Sequence, residues 1–269
     1  MTINKIEGKV NNIEFIRSPN VGGTLEPDSI VIHYTAQTST DGAVRSLTDP
    51  LRKVSAHFVI GRDGKLIQLV PMNKQAWHAG QSTWNGRSGY NKYSIGIEIV
   101  NAGLLNQDEN NGFLTWYKGK IPNDQVESTY DETTHDLKYW HSYSKEQIDT
   151  CWNICNALIE TYNIKEILGH EEISPGRKTD PGPAFPLNKF RERLMGNRDQ
   201  DEGLIEEEKK YKVSVSDGDF LNLRKRDINS SILAKLANNT EVTVLHTHGD
   251  MVKISLEGYV SKRYTWFFH

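Results

Sequence analysis

Ser29-Ile30-Val31-Ile32-His33 is the stretch on which the fold reading turns. Three consecutive β-branched aliphatics read as a buried strand, and the run ends on an ionisable side chain, where chemistry is commonly mounted. Working outward, His57–Ile60, Leu66–Val70 and Ile95–Val100 have the same apolar, β-branched character. Arg62-Asp63-Gly64 supplies turn chemistry between the second and third of these runs and predicts a hairpin. A helix is predicted after Ser144, which forms a capping box with Gln147. Ile148, Cys151, Trp152, Cys155, Ile159 and Tyr162 follow helical spacing along one face of it. A shorter helix is predicted over Leu187–Leu194, so up to about Gly196 the chain reads as mixed α/β.

The chain has 269 residues, which suggests roughly two domains. A 36% hydrophobic and 25% charged composition suits an ordinary globular protein, and a formal net charge of −3 argues against a nucleic-acid grip. No apolar run approaches the ~20 residues of a membrane helix. Met1 to Asn20 contains no continuous apolar stretch, so no secretory signal is expected. That suggests synthesis in the cytoplasm, with action there or export by a non-classical, phage-lysis or effector route. The only cysteines, Cys151 and Cys155, lie one helical turn apart and read as buried thiols rather than a disulfide.

Residues 102–143 form a long polar stretch carrying Trp116, Tyr117, Tyr130 and Trp140. An ordinary connection is about 4–6 residues long, so this insertion is expected to be an ordered functional loop. Residues 198–211, centred on Glu206-Glu207-Glu208, read as an acidic linker. Beyond it, alternating segments at Val213–Val215, Leu221–Leu223, Val242–Leu245, Val252–Leu256 and Tyr259–Val260 predict a small β-barrel over residues 212–269.

Among the nine histidines, His33 and His170 have unusual settings. His170 follows a short apolar run, Ile167-Leu168-Gly169, and opens a loop stiffened by Pro175, Pro181, Pro183 and Pro186. Such a loop can hold Lys178 and Asp180 in place without helix or sheet. Two imidazoles and one carboxylate suit a zinc ion with one position left open for water. Glu98, within the apolar run Ser94–Asn101, is placed to act as general base, and Lys178 to stabilise an oxyanion. Taken singly, each residue has an ordinary reading: a hydrogen-bonded core histidine, a solvent-facing glutamate, a surface ion pair. Spacing does not choose between them, because the proposed ligands lie far apart in the chain.

The joint pattern is more specific. Val31-Ile-His33-Tyr-Thr, Ser55-Ala-His57-Phe-Val-Ile-Gly-Arg-Asp-Gly64, Ala76-Trp-His-Ala-Gly80, Asn91-Lys-Tyr-Ser-Ile-Gly-Ile-Glu98 and the run from Gly169-His170 to Phe185 occur in one order. Together they resemble the type 2 N-acetylmuramoyl-L-alanine amidases over nearly all of residues 10–195, apart from the insertion. The resemblance implies a mixed central β-sheet flanked by helices, with a zinc site in a surface groove. By position it makes His33, His170 and Asp180 the metal ligands and Glu98 and Lys178 catalytic. Trp77, His78 and Asn91 fall in groove-lining blocks and become candidate substrate contacts. Some relatives carry Cys in place of Asp180 or Tyr in place of Ala56, and Ala56 together with Glu98 matches the recycling-type pattern. The tail, from Leu221-Asn-Leu-Arg224 onward, resembles the bacterial SH3-like domains, which implies a cell-wall ligand.

The expected activity is zinc-dependent hydrolysis of the amide between N-acetylmuramic acid and L-alanine in peptidoglycan or muropeptides. One alternative is a peptidoglycan receptor without catalysis, but such proteins typically lose a ligand position. The other is a zinc peptidase acting within stem peptides, against which the absence of a His-Glu-x-x-His helix counts.

Overall fold

In the computed structural model the described residues are 1–131, 136–196, 210–216, 220–224, 232–248 and 251–255. The chain divides into two units, Met1–Gln200 and Asp201–His269.

The first unit is organised by a six-stranded mixed sheet. Its order is Glu166–Gly169, Ser29–Tyr34, Ser94–Ile99, Phe58–Ile60, Leu66–Gln68 and Glu14–Phe15. The first four strands run parallel, and Phe58–Ile60 and Leu66–Gln68 form the antiparallel hairpin expected around Arg62-Asp63-Gly64. Strand alternation divides the side chains cleanly. Ile30, Ile32, Ile95, Ile97, Ile99, Phe58 and Ile60 pack against the helices on one face. Val31, His33, Gly96 and Glu98 alternate with them and so belong to the other face.

The helix covering the apolar face spans Lys145–Thr161 and begins with the reciprocal Ser144–Gln147 capping box. Its buried stripe is Cys151, Ile154, Cys155 and Leu158, whereas Ile148, Trp152, Ile159 and Tyr162 are only partly buried beside it. The seam is therefore rotated from the face read in sequence: the smaller side chains fill the centre and the aromatic ones border it. Both cysteines are buried free thiols. The second helix, Leu187–Met195, adds Leu187, Phe190 and Leu194 to the same core. The opposite face of the sheet is covered in part by the helix Thr40–Thr48, through Ala43, Val44 and Leu47.

The insertion is not a loop. It folds as a five-stranded antiparallel sheet in the order Lys120–Ile121, Phe113–Leu114, Leu104–Gln107, Asp136–His141 and Val126–Asp131. Ala102, Leu105 and Ile121 form its small core, with Phe113, Val126 and Tyr139 packed around them.

In the second unit, Lys210–Lys212, Glu241–His248 and Met251–Ser255 form a three-stranded sheet, and Phe220–Arg224 pairs with Ile232–Ala237. The predicted strand Val213–Val215 is displaced. Strand pairing ends at Lys212, and Val213 instead exchanges hydrogen bonds with Thr240 and Asn239 at a turn. Lys210 and Tyr211, assigned to the linker, already belong to a strand. The rest of the linker, Leu256 and the Tyr259–Val260 segment lie outside the described residues. Among the described residues, no helix is long and apolar enough to cross a membrane.

Candidate metal centre and groove

Three parallel strands deliver the site. His33 is the register partner of Glu98 on the neighbouring strand, and Gly169 pairs with Ile32, so His170 follows at the level of His33. The residues thus meet at the carboxyl ends of the strands, where open α/β sheets generally bind ligands. Asp180 arrives from the proline-rich loop, whose backbone is tied to the strand end by a hydrogen bond from Glu171 N to Asp180 O.

His33 Nδ1, His170 Nδ1 and Asp180 Oδ2 converge, with separations of 2.8 Å from His33 to Asp180 and 2.9 Å for the other two pairs. All three residues are buried. The outward nitrogens have partners that suit tautomers with both Nδ1 lone pairs turned inward. His170 Nε2 lies 3.1 Å from the Ala79 carbonyl, so it carries the proton and leaves a lone pair on Nδ1. His33 Nε2 lies 2.9 Å from His78 Nδ1, and His78 Nε2 faces the Ser94 carbonyl at 3.4 Å. A consistent chain runs His33 N–H to His78, then His78 N–H to Ser94 O. Two imidazole lone pairs and a carboxylate oxygen are thereby aimed at one point, and a cation satisfies all three. The donor set fits a divalent transition metal, and the outward hydrogen bonds are of the kind that orient metal-bound histidines.

Electrostatics agree with that reading. Burial, then the neighbouring His170, lower the His33 pKa to about 4, keeping the ring neutral. His78 is likewise held well below its ordinary value by burial and then by His33. Burial opposes ionisation of Asp180, but the His170 and His33 rings against its carboxylate outweigh it and hold the carboxyl below its usual range. Glu98 is pushed well above the ordinary glutamate value by burial and then by Asp180, with Lys178 opposing. Its Oε2 is sealed from solvent without a hydrogen-bond partner among the described residues.

A cavity of about 380 Å³ opens over this cluster, lined by Tyr34, Gln37, Trp77, Glu98 and Lys178 among others. His33, His170, Asp180, Glu98 and Lys178 are therefore brought to one place, and Trp77 joins them in the cavity wall. His78 reaches the cavity too, and its side chain backs His33. Asn91 is not among the residues lining the cavity; its Oδ1 accepts the N–H groups of His78 and Ala79 and so fixes the segment that holds His78.

Several contributors were not read from the sequence. Gly96 leaves room for the His78 ring, since a Cβ there would lie 2.4 Å from its Cγ. Tyr34 and Thr179 join hydroxyls at 2.6 Å beside the cavity. The insertion buttresses the Asp180 loop: Tyr143, at its end, donates to the Pro181 carbonyl, and Trp140 packs on Gly182. Gly182 has φ +72°, and a Cβ there would stand 2.8 Å from the Trp140 ring. Trp140 was visible as one of several aromatics in a polar stretch, but nothing in the sequence paired it with residue 182.

The family described as N-acetylmuramoyl-L-alanine amidase matches residues 23–183, which contain every residue of this cluster. The chain belongs to that family. This amidase-family chain is 32% identical over 176 residues to the N-acetylmuramoyl-L-alanine amidase AmiD of Escherichia coli K12, covering 62% of this chain and 53% of AmiD. It is 35% identical over 141 residues to the 1,6-anhydro-N-acetylmuramyl-L-alanine amidase AmpD of the same strain, covering 52% and 57%. The chain thus spans about half the length of these curated relatives. Among solved structures, the crystal structure of a selenomethionine AmpD derivative superposes with a TM-score of 0.51 at 28% identity, over 71% of this chain and 98% of that one. The mixed α/β fold is that of the family.

Proposed function

We propose that this protein is a zinc-dependent amidase that hydrolyses the bond between the lactyl group of N-acetylmuramic acid and L-alanine. The observation that carries the reading is the convergence of His33 Nδ1, His170 Nδ1 and Asp180 Oδ2 beside the cavity, with Glu98 in register with His33. Relatives named for this activity support it.

His33, His170 and Asp180 would hold the ion. When bound, zinc acidifies a water and polarises the substrate carbonyl. The rest falls to the chain. Glu98, whose burial raises its proton affinity, takes a proton from the attacking water and returns it to the leaving alanine nitrogen. Water oxygen bonds to the lactyl carbon as the C–N bond breaks, giving a carboxylate and a free amine. Lys178 stabilises negative charge developing on the carbonyl oxygen. Trp77 forms part of the wall against which the muramoyl group is held.

The 1–197 segment would be the catalytic domain, residues 198–211 a tether whose last two residues enter a strand, and 212–269 an SH3-like module for the cell wall. The strands at Phe220–Arg224 and Glu241–His248 support the last assignment, since they contain the Leu221–Arg224 and Val242–Leu245 segments.

Mass spectrometry of digested sacculi and soluble muropeptides tests the activity. Free stem peptides with an L-alanine amino terminus and intact sugars are expected, and shortened stems would overturn the reading. Glu98→Ala should retain zinc stoichiometrically and lose turnover; normal release by that variant removes Glu98 from its role.

A further inference from the structure

Between Phe113–Leu114 and Lys120–Ile121 the insertion turns through Thr115–Gly119. This tip is built rather than slack. Thr115 N donates to Gly119 O at 2.8 Å, Gly119 N to Thr115 Oγ1 at 2.8 Å, and Lys118 N to Thr115 O at 3.0 Å. Thr115 is fully buried, and Lys118 takes the left-handed conformation at φ +66°. A Cβ on Gly119 would lie 2.9 Å from Tyr117 Cε2, so glycine lets the tyrosine ring cross the turn.

The tip presents two aromatic rings to solvent. Trp116 is 66% exposed and Tyr117 40%, in an edge-to-face pair with centroids 5.3 Å apart. Both have their polar atoms engaged. Trp116 Nε1 donates to Ala36 O at 2.8 Å, and Tyr117 OH lies 2.8 Å from Thr38 Oγ1. Thr35, Ala36 and Gln37 line the cavity above the metal cluster. The aromatic pair is therefore fastened to the wall of the groove, with its N–H edge turned inward and mostly carbon surface left outside. A pair of rings is far smaller than the ~1,000 Å² that a stable protein partner needs. It matches the apolar C–H face of one or two pyranose rings.

We propose that Trp116 and Tyr117 form a sugar-stacking subsite for the glycan strand of peptidoglycan, adjoining the muramoyl unit in the cavity. The proposal rests on the amidase reading, which puts an aminosugar in the groove and makes its covalent neighbour another pyranose. The insertion would thereby select polymeric substrate over a peptide bearing a single sugar.

The test uses the full chain labelled with 5-fluorotryptophan, the Trp116 resonance being identified by its loss in Trp116→Phe. Peptide-free glycan strands of alternating N-acetylglucosamine and N-acetylmuramic acid should shift that resonance, while free stem peptide should not. Trp116→Ala should raise the Kd for these strands at least fivefold at that subsite, read from a fluorotyrosine label at Tyr117. Trp116→Phe should stay within twofold. The ratio of sacculus cleavage to cleavage of a one-sugar muropeptide should fall about tenfold in Trp116→Ala. A Trp116 resonance unmoved by saturating glycan, or an unchanged ratio, overturns the subsite. The fluorine titration needs no turnover, so failure of the amidase reading shows separately, as wild-type protein that releases no stem peptide from either substrate.

Discussion

His78 Nδ1 stands 2.9 Å from His33 Nε2, on the opposite side of the His33 ring from the Nδ1 that faces His170 and Asp180. Removing that acceptor leaves the His33 ring free to rotate and its buried N–H unpaired. His78→Ala should weaken zinc binding by about 10–100-fold, measured by competition with a chromophoric chelator. An unchanged affinity would return His78 to the ordinary lining of the groove.

Gly96 offers an independent route to the same defect. A Cβ at this position would meet the His78 ring at 2.4 to 2.7 Å, and the ring is hemmed in by His33 and Ser94. Gly96→Ala should therefore reproduce the loss of metal affinity without touching any ligand. Isothermal titration with zinc checks it; a variant that binds as tightly as wild type shows that the ring can move aside at no cost.

Trp140 carries the insertion's hold on the Asp180 loop, through its contact with Gly182. The residue is 6% exposed and its indole N–H donates to Thr129 Oγ1 at 2.9 Å. Trp140→Ala should cost about 3–5 kcal/mol in urea unfolding. It should also weaken zinc affinity, whereas an equally destabilising change on the Leu187–Met195 helix should lower stability alone.

Acid should destabilise the fold through His57. Its Nδ1 accepts from Gly96 N–H, its Nε2 donates to Lys74 O, and burial lowers its pKa from 6.5 to about 4. Between those values the unfolded chain binds a proton that the folded chain refuses, so stability rises with pH across the window and is fully present above 6.5. The depressed value corresponds to roughly 3 kcal/mol lost by the bottom of the window. His141, lowered to about 4 by burial and then Arg62, adds in the same direction. Urea midpoints at pH 7 and pH 5 should differ less in His57→Gln than in wild type; equal differences would contradict the assignment.

The reach of sequence reading follows from what each feature depends on. His33 and Glu98 stood out because one ends an apolar run and the other interrupts one, and a buried strand carries an ionisable residue only where it is paired or opens onto a cleft. The Ser144 cap was legible because capping is local. The insertion was not. Phe113–Leu114 and Lys120–Ile121 are two residues long, too short to show alternation, and their pairing comes from tertiary packing. His78 and Asn91 lay in the groove-lining blocks, but only the fold reveals that one backs His33 and the other ties the backbone. Likewise, Val213–Val215 alternates like a strand, yet the ladder ends one residue before it.

The three donor atoms come from positions 33, 170 and 180, so the cluster closes a chain loop of well over a hundred residues. A zinc finger, with ligands close together, can be organised by its ion at the outset. Here the loop-closure entropy must first be met by pairing Ser29–Tyr34 with Glu166–Gly169, which demands a largely completed sheet. Capture of a metal by these three residues would thus come late in folding, and a polypeptide still emerging from the ribosome, short of residue 180, would have no complete set of donors to offer.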